Sequence, residues 1–363
     1  MGIRFFGGHC RHYGFFGGLL VLGAGMAVTF ASRVSAETPA SSVAEDLNPP
    51  GSLTIEALPD DRRTILRDAV AHQISMGRSP EVALREIRAL GRLPEEWSDA
   101  QSADLVRAMY EKLTTPPETP SRRPRALALI GDRYHDPAYI RPPLEAAMEK
   151  AGVAVAFLYD VRHLTPQVVF QYDVLIILRD GMLWPNPQPD GSFGKAVFWL
   201  TEEQEMTVAS FVWGGGGFLA LHNATALKAL DETESLYRRV LGASYAGHGP
   251  EQEGYYVRIL NVSHPVTQGV QDYFVEDERH WPRLHVSDAL ILLESASGEQ
   301  TSLHGFVRAF GLGRVCYLAN GHNRRVLESD PMQRMLHNAA RWCLEPRLKG
   351  IPQEVANSRN LEP

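Results

Sequence analysis

The residues best placed to do chemistry in this sequence are histidines that follow predicted strands. His222 ends the stretch 213–225, Trp-Gly-Gly-Gly-Gly-Phe-Leu-Ala-Leu-His-Asn-Ala-Thr, in which four glycines precede a short apolar strand. His135 follows the first predicted strand and His322 the last. Since ligands of open α/β sheets bind at the carboxyl ends of strands, we expect the three imidazoles to converge there. Imidazole beside a carboxylate can transfer protons near neutral pH.

Other polar groups come from neighbouring loops. Asp136 follows His135, His248 lies in a glycine-rich loop, and Asp277 and Glu278 belong to an acidic run. Each has an ordinary structural alternative, because Asp136 before a proline is typical turn chemistry and a charge run is usually a solvated face. We predict catalytic roles for His135, Asp136, His222, Glu278 and His322.

The same side chains are candidate metal ligands. His135, His222, His248 and His322 could supply imidazole nitrogens and Glu278 a carboxylate. The sequence has no closely spaced histidine pair on a helix, so a divalent metal is one alternative and no cofactor is predicted. Nucleotide binding is rejected, because no Gly-x-Gly-x-x-Gly follows a strand and no P-loop lysine is present.

The elements that must position these residues alternate between strand and helix. Near-continuously apolar strands with helices between them predict a parallel sheet covered on both faces. Beyond Gly242 the strands lack long intervening helices, which predicts an antiparallel extension. The predicted strands are 126–130, 153–159, 173–178, 217–221, 255–260, 289–293, 306–310 and 314–319, and the helices are 142–151, 165–171, 201–213, 226–241 and 331–344.

The chain before this α/β region predicts export. An apolar run between about residues 14 and 31 follows two arginines and precedes Val34-Ser35-Ala36, which is typical of a cleaved signal peptide. We therefore expect a periplasmic or extracellular protein, with membrane attachment only if cleavage fails. The predicted organisation is a signal peptide 1–36, a linker 37–59, a helical segment 60–113, a Pro-rich linker 114–124, an α/β domain 125–345 and a polar tail 346–363.

The composition of the chain limits the classes of partner that it is expected to bind. Cleavage would remove three arginines and no acid, which changes the net charge from −7 to about −10. An acidic chain without a basic stripe is not expected to bind nucleic acid. Cys316 and Cys343, in a strand and a helix, are predicted to be buried packing thiols. The helical segment 60–113 carries no catalytic group and is interpreted as a spacer or a docking element for a protein partner.

Residues from about 125 to 345 resemble the trehalose-utilisation (ThuA-like) family, a branch of the class I glutamine amidotransferase-like superfamily. The resemblance rests on a series of stretches in the family's order: Tyr134-His-Asp, Tyr172-Asp-Val-Leu-Ile, Gly215-Gly-Gly-Phe-Leu-Ala-Leu-His-Asn-Ala, His264-Pro-Val-Thr-Gln-Gly-Val, Val275-Glu-Asp-Glu and Phe306-Val-Arg through His322. It implies a flavodoxin-like three-layer sandwich. It also implies that His222 or a neighbour occupies the elbow where amidotransferases carry a cysteine, so thiol-dependent glutamine hydrolysis is not expected.

The family's association with disaccharide use implies a small carbohydrate ligand. Our first hypothesis is an enzyme that hydrolyses or isomerises a sugar or an oxidised disaccharide derivative. Two alternatives are a non-catalytic carbohydrate-binding or scaffold domain and a metal-dependent hydrolase. The predicted substrate-binding residues are Asn223, His248, Asp277, Trp281 and Arg308, although Arg308 is equally suited to an ion pair.

Overall fold

The structure is a computed structural model that describes residues 53–348 apart from 117–122, 189, 191 and 229–234. The predicted signal peptide, most of the linker 37–59, the middle of the Pro-rich linker and most of the polar tail lie outside these residues. Among the helices within them, none combines the length and the hydrophobicity needed to cross a membrane.

A nine-stranded sheet forms the centre of the domain. Its strands are β1 Arg125–Ile130, β2 Ala154–Leu158, β3 Val174–Leu178, β6 Gly217–Leu221, β8 Glu253–Ile259, β9 Tyr273–Asp277, β11 Leu290–Ser297, β12 Gln300–Phe310 and β13 Gly313–Leu318. Their spatial order is β2-β1-β3-β6-β13-β12-β11-β8-β9, in which the first five strands are parallel and the last four are antiparallel neighbours.

Two short two-stranded sheets flank the main one. The strands β4 Met182–Leu183 and β5 Val197–Phe198 pair with each other, and β7 Ala243–His248 pairs with β10 His280–Leu284. The second pair brings His248 opposite His280 in register. It therefore delivers side chains toward the same end of the sheet from a direction that the parallel strands cannot reach.

Helices cover both faces of the sheet and create two hydrophobic cores. Alternate residues of β1 enter different cores, Ala128 and Ile130 on one side and Leu127 and Leu129 on the other, as a pleated strand requires. The first core contains α1 Asp60–Ser75, α2 Pro80–Ala89, α3 Asp99–Thr114, α4 Pro137–Ala151, α8 Arg324–Leu327 and α9 Asp330–Leu348; the second contains α5 Pro166–Val169, α6 Glu202–Trp213 and α7 Leu236–Leu241. The three-layer α/β architecture is as predicted.

The helical segment packs directly on the α/β domain. Leu66, Val70 and Ile74 of α1 share the first core with Ile140 and Leu144 of α4. Within the described residues, both parts belong to one compact unit. At its C-terminal end α1 touches the loop after β1 so closely that a Cβ atom on Gly131 would lie 2.9 Å from the Cβ of Ser75. The segment is thus part of the domain's core and reaches the predicted site.

The glycine run 214–217 is explained by packing. A Cβ atom on Gly216 would lie 2.5 Å from the ring of Phe211, and one on Gly217 would lie 2.6 Å from the Cβ of Cys343. Neither position has room for a larger residue, so α6 and α9 can approach β6 closely. Cys343 and Cys316 are buried and unpaired with each other, as expected for packing thiols.

Candidate functional site

His222 occupies a sharp turn at the end of β6. Its φ of 48° makes it the single non-glycine residue with positive φ in the described part of the chain. The chain turns there from β6 into a 3₁₀-helix, His222–Ala226. The hydroxyl of Tyr317 donates to the His222 carbonyl (2.9 Å), and His222 Nδ1 lies 2.9 Å from the carbonyl oxygen of Ala319. These contacts offset the strain of the left-handed backbone, and the turn presents a fully buried imidazole.

His135 is held by a buried carboxylate in its own loop. His135 Nδ1 donates to Asp132 Oδ1 (2.8 Å), and Asp132 also accepts from Asn223 Nδ2 and from the backbone N–H of Asp180. The helical segment supports the loop from outside, because His72 Nε2 donates to the carbonyl oxygen of Asp132 (3.2 Å). These contacts orient His135 so that Nε2 faces the interior of the site.

The charges of this pair are strongly coupled. Burial alone would raise the pKa of Asp132, but the charge and hydrogen bond of His135 hold that pKa well below its usual range. Burial would likewise lower the pKa of His135, and Asp132 raises it instead. Burial and the charge of Asp132 raise the pKa of neighbouring Asp180 to about 7. Asp132 is therefore the carboxylate that stays ionised, and His135 is its partner.

Glu278 lies at the centre of a ring of imidazoles. Its Oε2 is 2.8 Å from His280 Nε2 and 3.4 Å from His222 Nε2, and its Oε1 is 2.9 Å from His248 Nδ1. Burial would raise the pKa of Glu278, yet its contacts with the imidazoles of His222, His248 and His280 hold it well below its usual value. Burial, followed by the charge of His222, lowers the pKa of His280, which therefore packs as a neutral ring 3.9 Å from His222.

His322 completes the cluster from the end of β13. Its Nδ1 lies 3.1 Å from His135 Nε2 and 3.6 Å from Glu278 Oε2. Burial, with the charges of His222 and His135, lowers the pKa of His322 to about 4, so the ring is neutral at pH 7. One ligand atom from each of His135, His222, Glu278 and His322 lies within 4.8 Å of the other three. These four residues, called the imidazole–carboxylate cluster below, could hold a metal ion.

A polar cavity borders the imidazole–carboxylate cluster. It has a volume of about 430 Å³, and His322 forms part of its wall. Tyr134 is 47% exposed there, while the hydroxyl of Tyr139 donates to the backbone carbonyl of His322 (2.6 Å). The remaining lining residues are Glu251, Gln252, Glu276, Asn323, Arg324 and Arg325. A small polar molecule in this cavity would touch His322 directly.

Residues 125–343, about three-fifths of the chain, match the family model of ThuA, described as trehalose utilisation. The chain belongs to the ThuA family. None of the curated proteins compared with the sequence matches it. Solved structures with similarity to this ThuA domain include a ThuA-like protein from Bacteroides uniformis (16% identity, TM-score 0.48, 62% of this chain and 94% of that chain) and another from Parabacteroides merdae (16%, 0.47, 62% and 91%). A β-galactosidase from Rahnella sp. R3 is similar over 72% of this chain and 34% of that chain (15%, 0.42).

The ThuA domain brings together most, but not all, of the predicted catalytic residues. His135, His222, Glu278 and His322 converge, and their chemical roles stay predictions. Asp136 does not join them: it caps α4 by accepting from the N–H of Ala138 (2.9 Å) and lies beside His72. A carboxylate one residue after His135 points out of the loop toward the helix, which is the turn role that the following proline indicates.

Three of the predicted substrate-binding residues make contacts within the fold, and their role in binding stays a prediction. Asn223 is buried against Asp132, and Asp277 is fully buried, where it accepts from the N–H of Gly321 (3.0 Å) and fixes the loop that presents His322. Arg308 forms an ion pair with Asp288 and donates to the carbonyls of Arg239 and Val240, so its guanidinium holds α7. None of the three lines the polar cavity.

The other two predicted substrate-binding residues, His248 and Trp281, also lie outside the cavity wall. His248 is partly exposed and shares its Nδ1 proton between Gly249 and Glu278, which makes it a partner of the carboxylate outside the group of four donors. Trp281 packs over Gly247 and Arg279 and lies outside the wall of the cavity. Neither placement follows from the sequence, because both residues belong to the β7–β10 pair.

Two residues that contact the imidazole–carboxylate cluster, Asp132 and His280, were not among the predicted site residues. Asp132 had a signal in the sequence, since a carboxylate three residues before a candidate histidine in a strand-end loop can orient that histidine. His280 had a weaker one, its place two residues after Glu278. Its contact with Glu278 depends on the turn between β9 and β10, which the sequence did not indicate.

Proposed function

We propose that this ThuA-family protein is an enzyme that hydrolyses or isomerises a neutral carbohydrate bound in the polar cavity. The observation that carries the proposal is the position of His322, which belongs both to the imidazole–carboxylate cluster and to the cavity wall. A ligand in the cavity would therefore contact His322, whose imidazole adjoins the buried groups of the cluster. The predicted signal peptide would place the reaction outside the cytoplasm.

The chemistry of the wall favours a neutral polyol over a sugar phosphate or a sugar acid. Both arginines are already engaged with carboxylates, Arg325 with Glu276 and Arg324 with Glu328 (2.7 Å). The wall also offers the side-chain amides of Gln252 and Asn323, the kind of group that hydrogen-bonds hydroxyls. The family's link to trehalose supports a disaccharide or a derivative of one.

The residues at the cavity fit proton transfer and carbonyl or water activation. His322 is neutral at pH 7 because its pKa is about 4, so its lone pair is available. Glutamine hydrolysis through a thioester is not proposed, since both cysteines of the described chain are buried in the sheet and helix packing. The turn after β6 carries the imidazole of His222 in place of a thiol. This arrangement is consistent with proton transfer by an acid–base group rather than with an acyl-enzyme intermediate.

The proposal is tested by incubating the purified protein with a panel of disaccharides, including trehalose, and with their keto derivatives, and following product by chromatography. We expect turnover of at least one neutral member and none of the phosphorylated ones. Saturable binding of a sugar without any turnover would contradict the enzyme assignment and leave a binding domain.

Tyr134→Ala tests the position of the substrate. An exposed aromatic ring beside a polar cavity is suited to packing against a sugar ring. We expect KM to rise about tenfold, which corresponds to ~1.4 kcal/mol of lost binding, with kcat much less affected. The control is Tyr256→Ala, a similarly exposed tyrosine on β8 that lies outside the cavity wall. Equal KM values for the two variants would mean that the substrate does not bind against Tyr134.

A further inference from the structure

The tautomer of His222 leaves a buried lone pair in the imidazole–carboxylate cluster. The Ala319 carbonyl can only accept, so the 2.9 Å contact places a proton on His222 Nδ1. In the neutral ring Nε2 then carries a lone pair. This nitrogen is buried, has no hydrogen-bond partner within the described chain and lies 3.4 Å from the carboxylate oxygen of Glu278, which also only accepts. Two acceptors that face each other in a buried site repel each other, so this contact calls for a cation between them, either a proton or a metal ion.

His135 has the same arrangement. Its Nδ1 proton goes to Asp132, so in the neutral ring Nε2 presents a lone pair to the interior. Metal-ligating histidines typically have this arrangement, in which one ring nitrogen donates to a carboxylate and the other is free to bind the metal. The contact with His322, taken by itself, could be an ordinary hydrogen bond. The contact between His222 and Glu278 cannot be one while His222 is neutral.

The spacing of the donor atoms fits a transition-metal ion. Ligand atoms at about 2.0–2.1 Å from a tetrahedral ion lie roughly 3.3–3.4 Å from each other. The observed separations are 3.1 Å between His135 and His322, 3.4 Å between His222 and Glu278, and 3.6 Å between His322 and Glu278. The other three separations are no larger than 4.8 Å, so side chains must move inward before all four atoms reach bonding distance of one point.

The donor set also selects the kind of metal. Three imidazoles and one carboxylate suit Zn²⁺ and its first-row divalent neighbours, whereas Mg²⁺ and Ca²⁺ prefer oxygen ligands. Two carboxylates accompany the site, Glu278 in direct reach and Asp132 behind His135, so a divalent cation would balance their charge. The side chain of His322 is 15% exposed on the cavity side, which leaves an approach for a further ligand.

We propose that His135, His222, His322 and Glu278 bind one divalent first-row transition-metal ion, for which zinc fits best. The catalytic role of the ion rests on the proposed function, since the ion would lie where a sugar in the cavity meets His322. A bound ion of this kind polarises a carbonyl or activates water. The binding itself depends only on the geometry of the four residues.

The experiment is a zinc titration of chelator-treated, full-length protein, followed by calorimetry and by metal analysis after gel filtration. We expect one zinc ion per chain, and the absorption of the cobalt-loaded protein should show imidazole ligation in a low-symmetry site. His222→Ala should weaken zinc binding at least ~100-fold, because a direct ligand matters more than the outer partners, whose loss costs 10–100-fold. His322→Ala should weaken it as well.

His322→Ala keeps the test decisive if His222→Ala misfolds, since His322 is the more exposed ligand. The matched control is His337→Ala on α9, outside the four donors, which should bind zinc as the wild type does. Absence of zinc binding, or equal binding by wild type and both ligand variants, would overturn the proposal and leave His222 as an imidazolium paired with Glu278. Full sugar turnover by the metal-free protein would overturn only the catalytic role of the ion. Stoichiometric zinc binding without any sugar turnover would overturn the proposed function and leave the metal site supported.

Discussion

The Glu278→Gln variant is expected to bind zinc at least ~100-fold more weakly than the wild type and to lose turnover of any substrate of the proposed enzyme. Glu278 is the one carboxylate among the four donors and the residue on which four imidazole contacts converge. An amide keeps the size of the side chain but removes the negative charge. Its NH₂ group would also face the N–H donors of His280 or His248, where only an acceptor fits.

The measurement combines zinc affinity, turnover and urea denaturation of the metal-free protein. Removing one partner of a buried charged network typically costs about 3–5 kcal/mol, so the variant should also be less stable. Glu294→Gln is the matched control, because Glu294 pairs with Arg258 on the exposed sheet face. If Glu278→Gln retained wild-type zinc affinity while folded, Glu278 would be excluded as a ligand.

The fold was predictable because its signals are local. Apolar strands such as β3 and β6 are buried on both sides, and a helix-covered parallel sheet is the arrangement that satisfies such strands. Helix starts are also local signals: Ser98 and Thr201 begin α3 and α6 with capping boxes, which depend only on residue type and spacing. The predicted helix 142–151 instead begins at Pro137, since Asp136 caps it and the prolines near its start are tolerated.

The site was only partly predictable because its outer parts come from long-range pairing. Three histidines at strand ends are fixed by the parallel topology, so their convergence could be inferred. The strands β7, β9 and β10 are short and lie where no strand was predicted, and they place His248, Asp277 and His280. Burial of Asp277 and the ion pair of Arg308 depend on partners 20 or more residues away. Residue type alone therefore could not indicate which partners these charges have within the fold.

Asp132→Asn is expected to destabilise the metal-free protein by about 3 kcal/mol and to weaken zinc binding by ~10–100-fold. Asp132 accepts hydrogen bonds from His135, Asn223 and Asp180, and no solvent reaches it. An asparagine would turn one acceptor oxygen into a donor toward at least one of these N–H groups. It would also remove the charge that orients His135, so the effect on zinc would arise although Asp132 is no ligand.

The pH dependence of this loss has a definite sign. The folded pKa of Asp132 is depressed below the value of about 3.9 for an unfolded aspartate, so its ionised form stabilises the protein fully above that value. That contribution is lost as the pH falls through the folded pKa. The difference in unfolding free energy between wild type and Asp132→Asn, measured by urea denaturation, should therefore shrink below about pH 4. Because Asp132 also raises the pKa of His135, the difference should be largest below the unfolded histidine pKa of about 6.5 and decline as the pH rises through the folded pKa of His135.

Asp136→Asn separates this effect from a general disturbance of the loop. It is the same substitution four residues away, at the cap of α4, where asparagine is itself a good capping residue, so stability should change by less than about 1 kcal/mol. Zinc affinity should stay at the wild-type value, because Asp136 contacts none of the four donors' inner nitrogens. Equal losses of zinc affinity in the two variants would mean that the loop as a whole, rather than the Asp132–His135 pair, positions the ligand.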